Sequence, residues 1–463
     1  MTGTQTLIAR GALGVLAAAT GSLAIAMRRF QEGTPQIFNR YAMGAFAVSR
    51  LGIYFLTFFI LRISPRGDIP SYYFPEAQAA LRGQLPYRDF ASSYAPMHSY
   101  LDALVLLVWN SPLAIILFSI LAEMLLLWVW LPLARTFLPE QRVRTAAILY
   151  LASPISMQFV AIDGQDNVII ALLLATAMLL LYQKREAASG VLAASGIVLI
   201  KFLPLLYMPA FFLAATRRVR WFIGCAATLL IGYGVFAALH LPLLNPVLGE
   251  GHQLSAGNLP FLIESVFGIT LPLAALDALL VIALLSVIAM VAHALHRADL
   301  PVRIGVLAFA TAALTLTLEL FAKKSWPPYL LLALFPICLA VSVRPHAKLR
   351  IAAFCLFSII AVVEHSYWAS ILRLPGAQAV HHLLTTGQHS AWILLLLQLL
   401  LLAGYFWLLW EAIHQITTAR SASGAGADLD SQTPSRAQAL SSSLTPTKRS
   451  IAHAHVSGTS ATA

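Results

Sequence analysis

The sequence predicts an all-α, polytopic transmembrane bundle of about 11–13 membrane segments with a large first external loop. Of its 463 residues, 59% are hydrophobic and only 11% charged, and mean hydropathy is +0.79. Soluble domains carry about 25% charged residues, so this chain has too little polar surface to cover a water-facing core. The apolar residues fall in long runs of about 20, not in alternating runs of about 10, which excludes an outer-membrane barrel. The net charge of +11 sits in short loops between those runs. That placement fits cytoplasmic Lys and Arg, which orient helices and meet anionic lipid, and not a nucleic-acid surface. Cys225, Cys338 and Cys355 all lie within apolar runs and form neither a disulfide framework nor a metal-ligand spacing.

The first run, Leu7–Met27, ends at Arg28-Arg29 and reads as a retained helix, although Ala24-Ile25-Ala26 has the small residues of a cleavage site. Tyr41–Leu61 then leaves the cytoplasm and opens a polar stretch, Arg62–Tyr94, in which residues 73–81 suggest a short interfacial helix. Residues 96–109 are too few to cross and are bounded by Pro96 and Asn110-Ser111-Pro112, so they read as a half-helix. Crossings follow at residues 113–133, 145–161 and 168–182. Residues 191–214 begin and end at basic loops and contain Lys201 and Pro204. They read as a broken hairpin, which is tolerated at membrane depth where it lines a cavity. Further runs cover residues 221–241, 273–294, 304–321, 329–343, 351–368 and 391–410. Placing Arg62–Tyr94 outside puts the basic loops at Arg135/Arg142/Arg144, Lys184/Arg185, Arg217/Arg218/Arg220, Arg297/Arg303 and Arg344/Lys348/Arg350 inside. Residues 1–413 form the membrane domain in this reading. Residues 414–463, rich in Ser, Thr, Ala and Gly, form a disordered cytoplasmic tail.

Candidate chemistry gathers on the side assigned as external. The long loop offers the carboxylates Asp68 and Asp89, either of which is placed to act as a general base, beside Tyr72, Tyr73, Tyr87, Arg88 and Tyr94. Aromatic faces stack on sugar rings and carboxylates accept sugar hydroxyl protons; the alternative is an interfacial aromatic belt. Asp163-Gly164-Gln165-Asp166-Asn167 is a tight turn before a helix, where Asp166 serves either a substrate or a helix cap. Lys201 in an apolar run needs an anion, either a substrate phosphate or a carboxylate such as Asp102, Glu123 or Glu319. Arg50 raises the same question. Lys323-Lys324 beside Trp326 offers two point charges to a phosphate, or a solvated helix end. His381, His382 and His389 have no nearby Asp, Glu or Cys to complete a metal set. No cofactor is expected, and a divalent metal stays open. A P-loop, a dinucleotide fingerprint and a nucleophile elbow are absent from the sequence.

Taken in order, these segments resemble the GT-C superfamily of membrane glycosyltransferases, and within it glycosyltransferase family 87. The resemblance is carried by Asp68, Tyr72-Tyr73, Ala80-Leu81-Arg82-Gly83, Pro86-Tyr87 and Tyr94-Ala95-Pro96. It continues in Gly164-Gln165, Gly196, Lys201-Phe202-Leu203-Pro204 and Ser325-Trp326, and ends at Pro336. The chain departs from the family pattern at Ala95, at Gly257-Asn258-Leu259-Pro260 and at Pro327-Pro328. The resemblance implies transfer of a sugar, mannose or another hexose, from a polyprenyl phosphate to a lipid or glycan hydroxyl on the non-cytoplasmic face of a bacterial inner membrane. It implies inversion at the anomeric carbon and a base at Asp68. It also brings Gln165 and Asn258 to the substrate. The expected partners are the polyprenyl-phosphate donor, the acceptor and membrane lipid, with no nucleic acid. The rival readings are a flippase for lipid-linked glycans, or a glycan ligase or polymerase. A flippase would bring inverted repeats and paired broken helices, and only one broken segment is evident.

The orientation has a direct check. Ser93→Cys is expected to react with a membrane-impermeant thiol reagent added to intact cells, and Ser441→Cys only after lysis. External labelling at residue 441 would reverse the topology.

Overall fold

The computed structural model describes residues 3–26, 32–250, 254–343, 347–372 and 376–431. Arg28, Arg29, Arg344, Arg373 and the tail beyond residue 431 lie outside them. Two compact units are distinguished, residues 1–420 and 421–463; of the second, residues 421–431 are described and are helical. Among the described residues there is no strand, and eight helices are long and apolar enough to cross a membrane. They are α1 (Gly3–Ala26), α2 (Pro35–Phe55), α5 (Pro112–Ala134), α11 (Arg218–Ala238), α14 (Leu273–Ala294), α15 (Leu300–Phe321), α17 (Ala347–Tyr367) and α19 (His389–Ser431). The chain is thus a helical membrane protein. Helix α15 is buried along nearly its whole length, whereas α11 and α14 present mostly exposed apolar faces, as lipid-facing helices do.

The shorter elements place the site. The first loop holds a π-turn, Ile69–Tyr73, running into α3 (Phe74–Leu81), which matches the short helix expected there. The half-helix is α4 (His98–Val108). Residues 145–161, expected as one crossing, divide into α6 (Glu140–Leu151) and α7 (Pro154–Phe159), because Pro154 cannot continue the ladder of α6. Arg50 stitches that break. Its guanidinium, fully buried, donates to the carbonyls of Leu151 (2.7 Å) and Tyr150 (3.2 Å) and to Ser156 Oγ (2.8 and 3.0 Å), with Glu123 3.9 Å away. Arg50 therefore satisfies orphaned helix-end carbonyls.

The broken hairpin is present as α9 (Glu186–Leu199), a 3₁₀ turn at Leu203–Tyr207 and α10 (Met208–Ala214). Pro204 lacks an N–H and its ring would clash one turn back, so the helix opens at Ile200. The freed carbonyls are not left bare: Ala95 N donates to Ile200 O (3.0 Å) and Met97 N to Val198 O (3.2 Å). The break thereby holds the end of the first loop against Lys201. Helix α9 is held in turn by close packing on α11. A Cβ at Gly190 would collide with the Trp221 carbonyl, and one at Gly224 with the Ala187 carbonyl. Small residues let the two backbones touch, a common way to join helices in lipid.

Gly190→Ala and Gly224→Ala should each destabilise the detergent-solubilised protein by about 1–3 kcal/mol through overpacking. Gly52→Ala in α2, where a Cβ meets open space, should be neutral or stabilising by up to about 1 kcal/mol. Thermal unfolding of the three variants checks this; equal effects would refute the close approach.

Candidate functional site

The site is assembled around the turn that precedes α8 (Asn167–Tyr182). Gly164 adopts φ +64°, and a Cβ there would lie 2.9 Å from both Ile69 and Ile116. The turn therefore needs glycine for its backbone conformation and for the approach of the first loop. Asp166 occupies the N-cap position of α8 yet its side chain makes no capping hydrogen bond. Its carboxylate, almost fully buried, instead meets Lys201 Nζ at 2.7 Å and His98 Nε2 at 3.2 Å. Lys201 thus pairs with Asp166, and not with Asp102, Glu123 or Glu319. Burial pushes the Asp166 carboxyl up, but Lys201 and His98 together outweigh it and hold the group below the usual carboxylate range.

His98 is the residue that the sequence reading passed over. It opens α4, stacks on Tyr94 with ring centroids 4.4 Å apart, and has Asp102 3.8 Å from the same Nε2 that faces Asp166. Tyr73 packs edge-on against both Tyr94 (5.1 Å) and His98 (5.0 Å), and Lys201 Nζ lies 5.1 Å from the Tyr94 centroid. Tyr73 and Tyr94 are buried, so they are not members of a lipid-facing belt; Tyr94 faces the ammonium and Tyr73 backs Tyr94. Tyr87 donates its hydroxyl to the Tyr94 carbonyl, and Tyr72, 47% exposed, touches Tyr94 by its edge (6.4 Å).

Asp68 lies at the rim of this cluster. It is half-buried, and its Oδ2 accepts a hydrogen bond from Gln165 Nε2 at 2.9 Å. Lys324 lies in the field of both Asp68 and Lys201. Burial, seconded by Lys201, lowers its ammonium to about 8, and Asp68 acts in the opposite direction. The two adjacent lysines part here: Lys323 turns to Asp277 on α14, 2.8 Å away. Asn258 is a scaffold for this stretch. Its side chain caps α13 (Leu259–Phe267) through Phe261 N (2.9 Å) and donates to the Lys323 carbonyl (3.3 Å). Trp326 packs edge-on against His365 at 5.9 Å. His381 Nδ1 faces the Ser265 carbonyl at 3.1 Å. Among the described residues no group of three or more His, Cys, Asp or Glu is arranged to hold a metal.

Asp89 is built differently. Its carboxylate is gripped by Arg88 through two contacts of 2.9 Å and by Leu85 N at 2.8 Å. The Arg88 fork first, and then the Leu85 N–H, lower it to about 2. Such a carboxylate is a weak proton acceptor at neutral pH and a good fixed hydrogen-bond acceptor.

No protein-family model matches the chain, and no curated protein matches it. The site is then defined by its own geometry. That geometry sets a compensated, buried triad of Lys201, Asp166 and His98 beside a more open pair, Asp68 and Lys324.

Asp166→Asn should lower stability by about 3–5 kcal/mol, because it strands Lys201 in a poorly solvated place. Adding Lys201→Met should recover part of that loss. A calorimetric double-mutant cycle checks the coupling; additive effects would mean that the pair is not an interacting unit.

Proposed function

We propose that the protein is a GT-C-type membrane glycosyltransferase that moves a hexose from a polyprenyl phosphate to an acceptor hydroxyl on the non-cytoplasmic face. The observation that carries this reading is the juxtaposition of one half-buried carboxylate, Asp68, with the cations Lys324 and Lys201 at the mouth of a broken membrane hairpin. The resemblance of the same segments to glycosyltransferase family 87 adds to it.

In this mechanism the lipid tail stays in the bilayer beside α9 and α10. The donor phosphate meets Lys324 and the outer side of Lys201, whose ammonium is already anchored by Asp166. Asp68 Oδ1, which Gln165 leaves unengaged, takes the proton of the acceptor hydroxyl. The acceptor oxygen attacks the anomeric carbon from the face opposite the phosphate. The bond from that carbon to the phosphate oxygen breaks with its electron pair on the phosphate, so the configuration inverts. The two ammonium groups stabilise the charge that develops on the leaving phosphate. Asp166 is a poorer candidate for the base, because its carboxylate is already engaged on both sides. Asp89 is poorer because of its lowered proton affinity.

Asp68→Asn should reduce turnover by roughly 10²–10⁴-fold while the donor still binds. Steady-state transfer from a synthetic polyprenyl-phosphate hexose, with donor binding measured separately, checks this. Near-normal turnover would remove Asp68 as the base. A second expectation concerns pH. Lys324 is a cation below about 8 and neutral above it, so donor KM should rise as the pH is raised from 7 to 9. Lys324→Arg, which stays charged, should flatten that limb. An unchanged profile in Lys324→Arg would assign the limb to another group.

A further inference from the structure

Beside the charged cluster lies a cleft of about 510 Å³, lined among others by Tyr72, Tyr87, Arg88, Asp89, Ser92 and Pro246. Its wall is a rigid turn. Tyr87 N donates to Phe90 O (2.9 Å), Asp89 N to Leu85 O (2.9 Å) and Leu85 N back to the Asp89 carboxylate (2.8 Å), while Tyr87 adopts φ +67°. Arg88 and Asp89 face each other fork to fork, Nε to Oδ1 and Nη2 to Oδ2. Ser92 is fixed by donating to buried Glu76 at 2.7 Å. Tyr72 borders both this cleft and, through its edge on Tyr94, the cluster that holds Lys201.

We propose that this cleft is a carbohydrate subsite, which takes a neutral, polyhydroxylated ring of the acceptor. As an acceptor site it rests on the glycosyltransferase reading; as a glycan-binding site it stands alone. The charge balance selects the ligand. Arg88 is matched by Asp89 at bidentate distance, so the cleft offers no net positive charge to a phosphate. A lipid tail would bury the Arg88–Asp89 pair and Ser92 without replacing their hydrogen bonds with water. A sugar ring satisfies both demands. Its apolar face covers the half-exposed Tyr72, and vicinal hydroxyls donate to Asp89 and accept from Arg88. Tyr72 stands four residues after Asp68, so a ring seated on it presents a hydroxyl toward the proposed base.

The test is direct binding of neutral manno- and gluco-configured trisaccharides to the purified full-length protein, by ligand-observed NMR titration, with inorganic pyrophosphate as competitor. Tyr72→Ala and Asp89→Asn should each weaken trisaccharide binding by about tenfold or more, which corresponds to about 1.4 kcal/mol. Tyr72→Phe, which keeps the ring, should bind within about twofold of the unaltered protein. Pyrophosphate should not displace the trisaccharide. Unaltered binding in Tyr72→Ala and Asp89→Asn, or displacement by pyrophosphate, would overturn the proposal. The two readings fail separately. Glycan binding that depends on Tyr72 and Asp89, with no transfer from any polyprenyl-phosphate sugar, keeps the subsite and sinks the transferase. Transfer with variant-insensitive glycan binding does the reverse.

Discussion

Lys201 sits where a membrane hairpin is forced open, and its ion pair with Asp166 is the constraint on which the surrounding structure depends. An ammonium at that depth is costly unless an anion meets it. Asp166 answers from the start of α8, and His98 answers Asp166 from the start of α4. Three elements from distant parts of the sequence are thereby tied at one point. The carbonyls of Val198 and Ile200, orphaned by the same break, take the backbone N–H groups of Ala95 and Met97. Charge pairing and backbone pairing thus bring the first loop to the same place. With that loop comes Tyr94, whose ring faces the ammonium and is backed by Tyr73.

Compensation is uneven across the site, and the unevenness divides the labour proposed here. Asp166 is engaged by both Lys201 and His98 and is almost fully buried, which suits a permanent anchor. Asp89 is locked by Arg88 and a backbone N–H at an exposed turn, which suits a fixed acceptor of hydrogen bonds. Asp68 is held by a neutral amide and faces Lys324, which leaves it an oxygen for chemistry. Asp166 and Asp89 are both held below the usual carboxylate range, but by different partners, and so suit different tasks.

Much of the fold was legible in the sequence because the signals are local. Run length marked the eight helices long and apolar enough to cross, fewer than the 11–13 segments expected, because residues 168–182 and 329–343 form shorter elements; Pro96 and Asn110-Ser111-Pro112 bounded the half-helix, and Lys201 with Pro204 marked the break. The division of residues 145–161 at Pro154 was missed, although the proline stood in view, because the apolar composition on both sides masked it. The site was legible only in part. Lys201, Asp166, Asp68, Gln165 and the loop tyrosines do converge. Their pairing is set by packing between helices more than 30 residues apart, which periodicity does not encode, and so the partner of Lys201 was not the one expected. His98, two residues after Pro96, carries no motif in the sequence. Only its stacking on Tyr94 and its place between Asp102 and Asp166 give it a role. The neighbouring lysines Lys323 and Lys324 diverge because Asn258 and Ser255 grip the backbone between them, a contact made across the loop before α13. Arg50, a second buried cation, has a structural purpose that depends on a helix break over 100 residues away.

The central claim is that these charges serve transfer of a sugar from a lipid phosphate. It is tested most directly by incubating membranes that contain the protein with polyprenyl-phosphate hexoses labelled in the sugar, and weighing the products. The account predicts one labelled hexose added to an acceptor for each free polyprenyl phosphate released. Intact donor carried across the bilayer without bond cleavage, or transfer of a preformed oligosaccharide in one step, would contradict it.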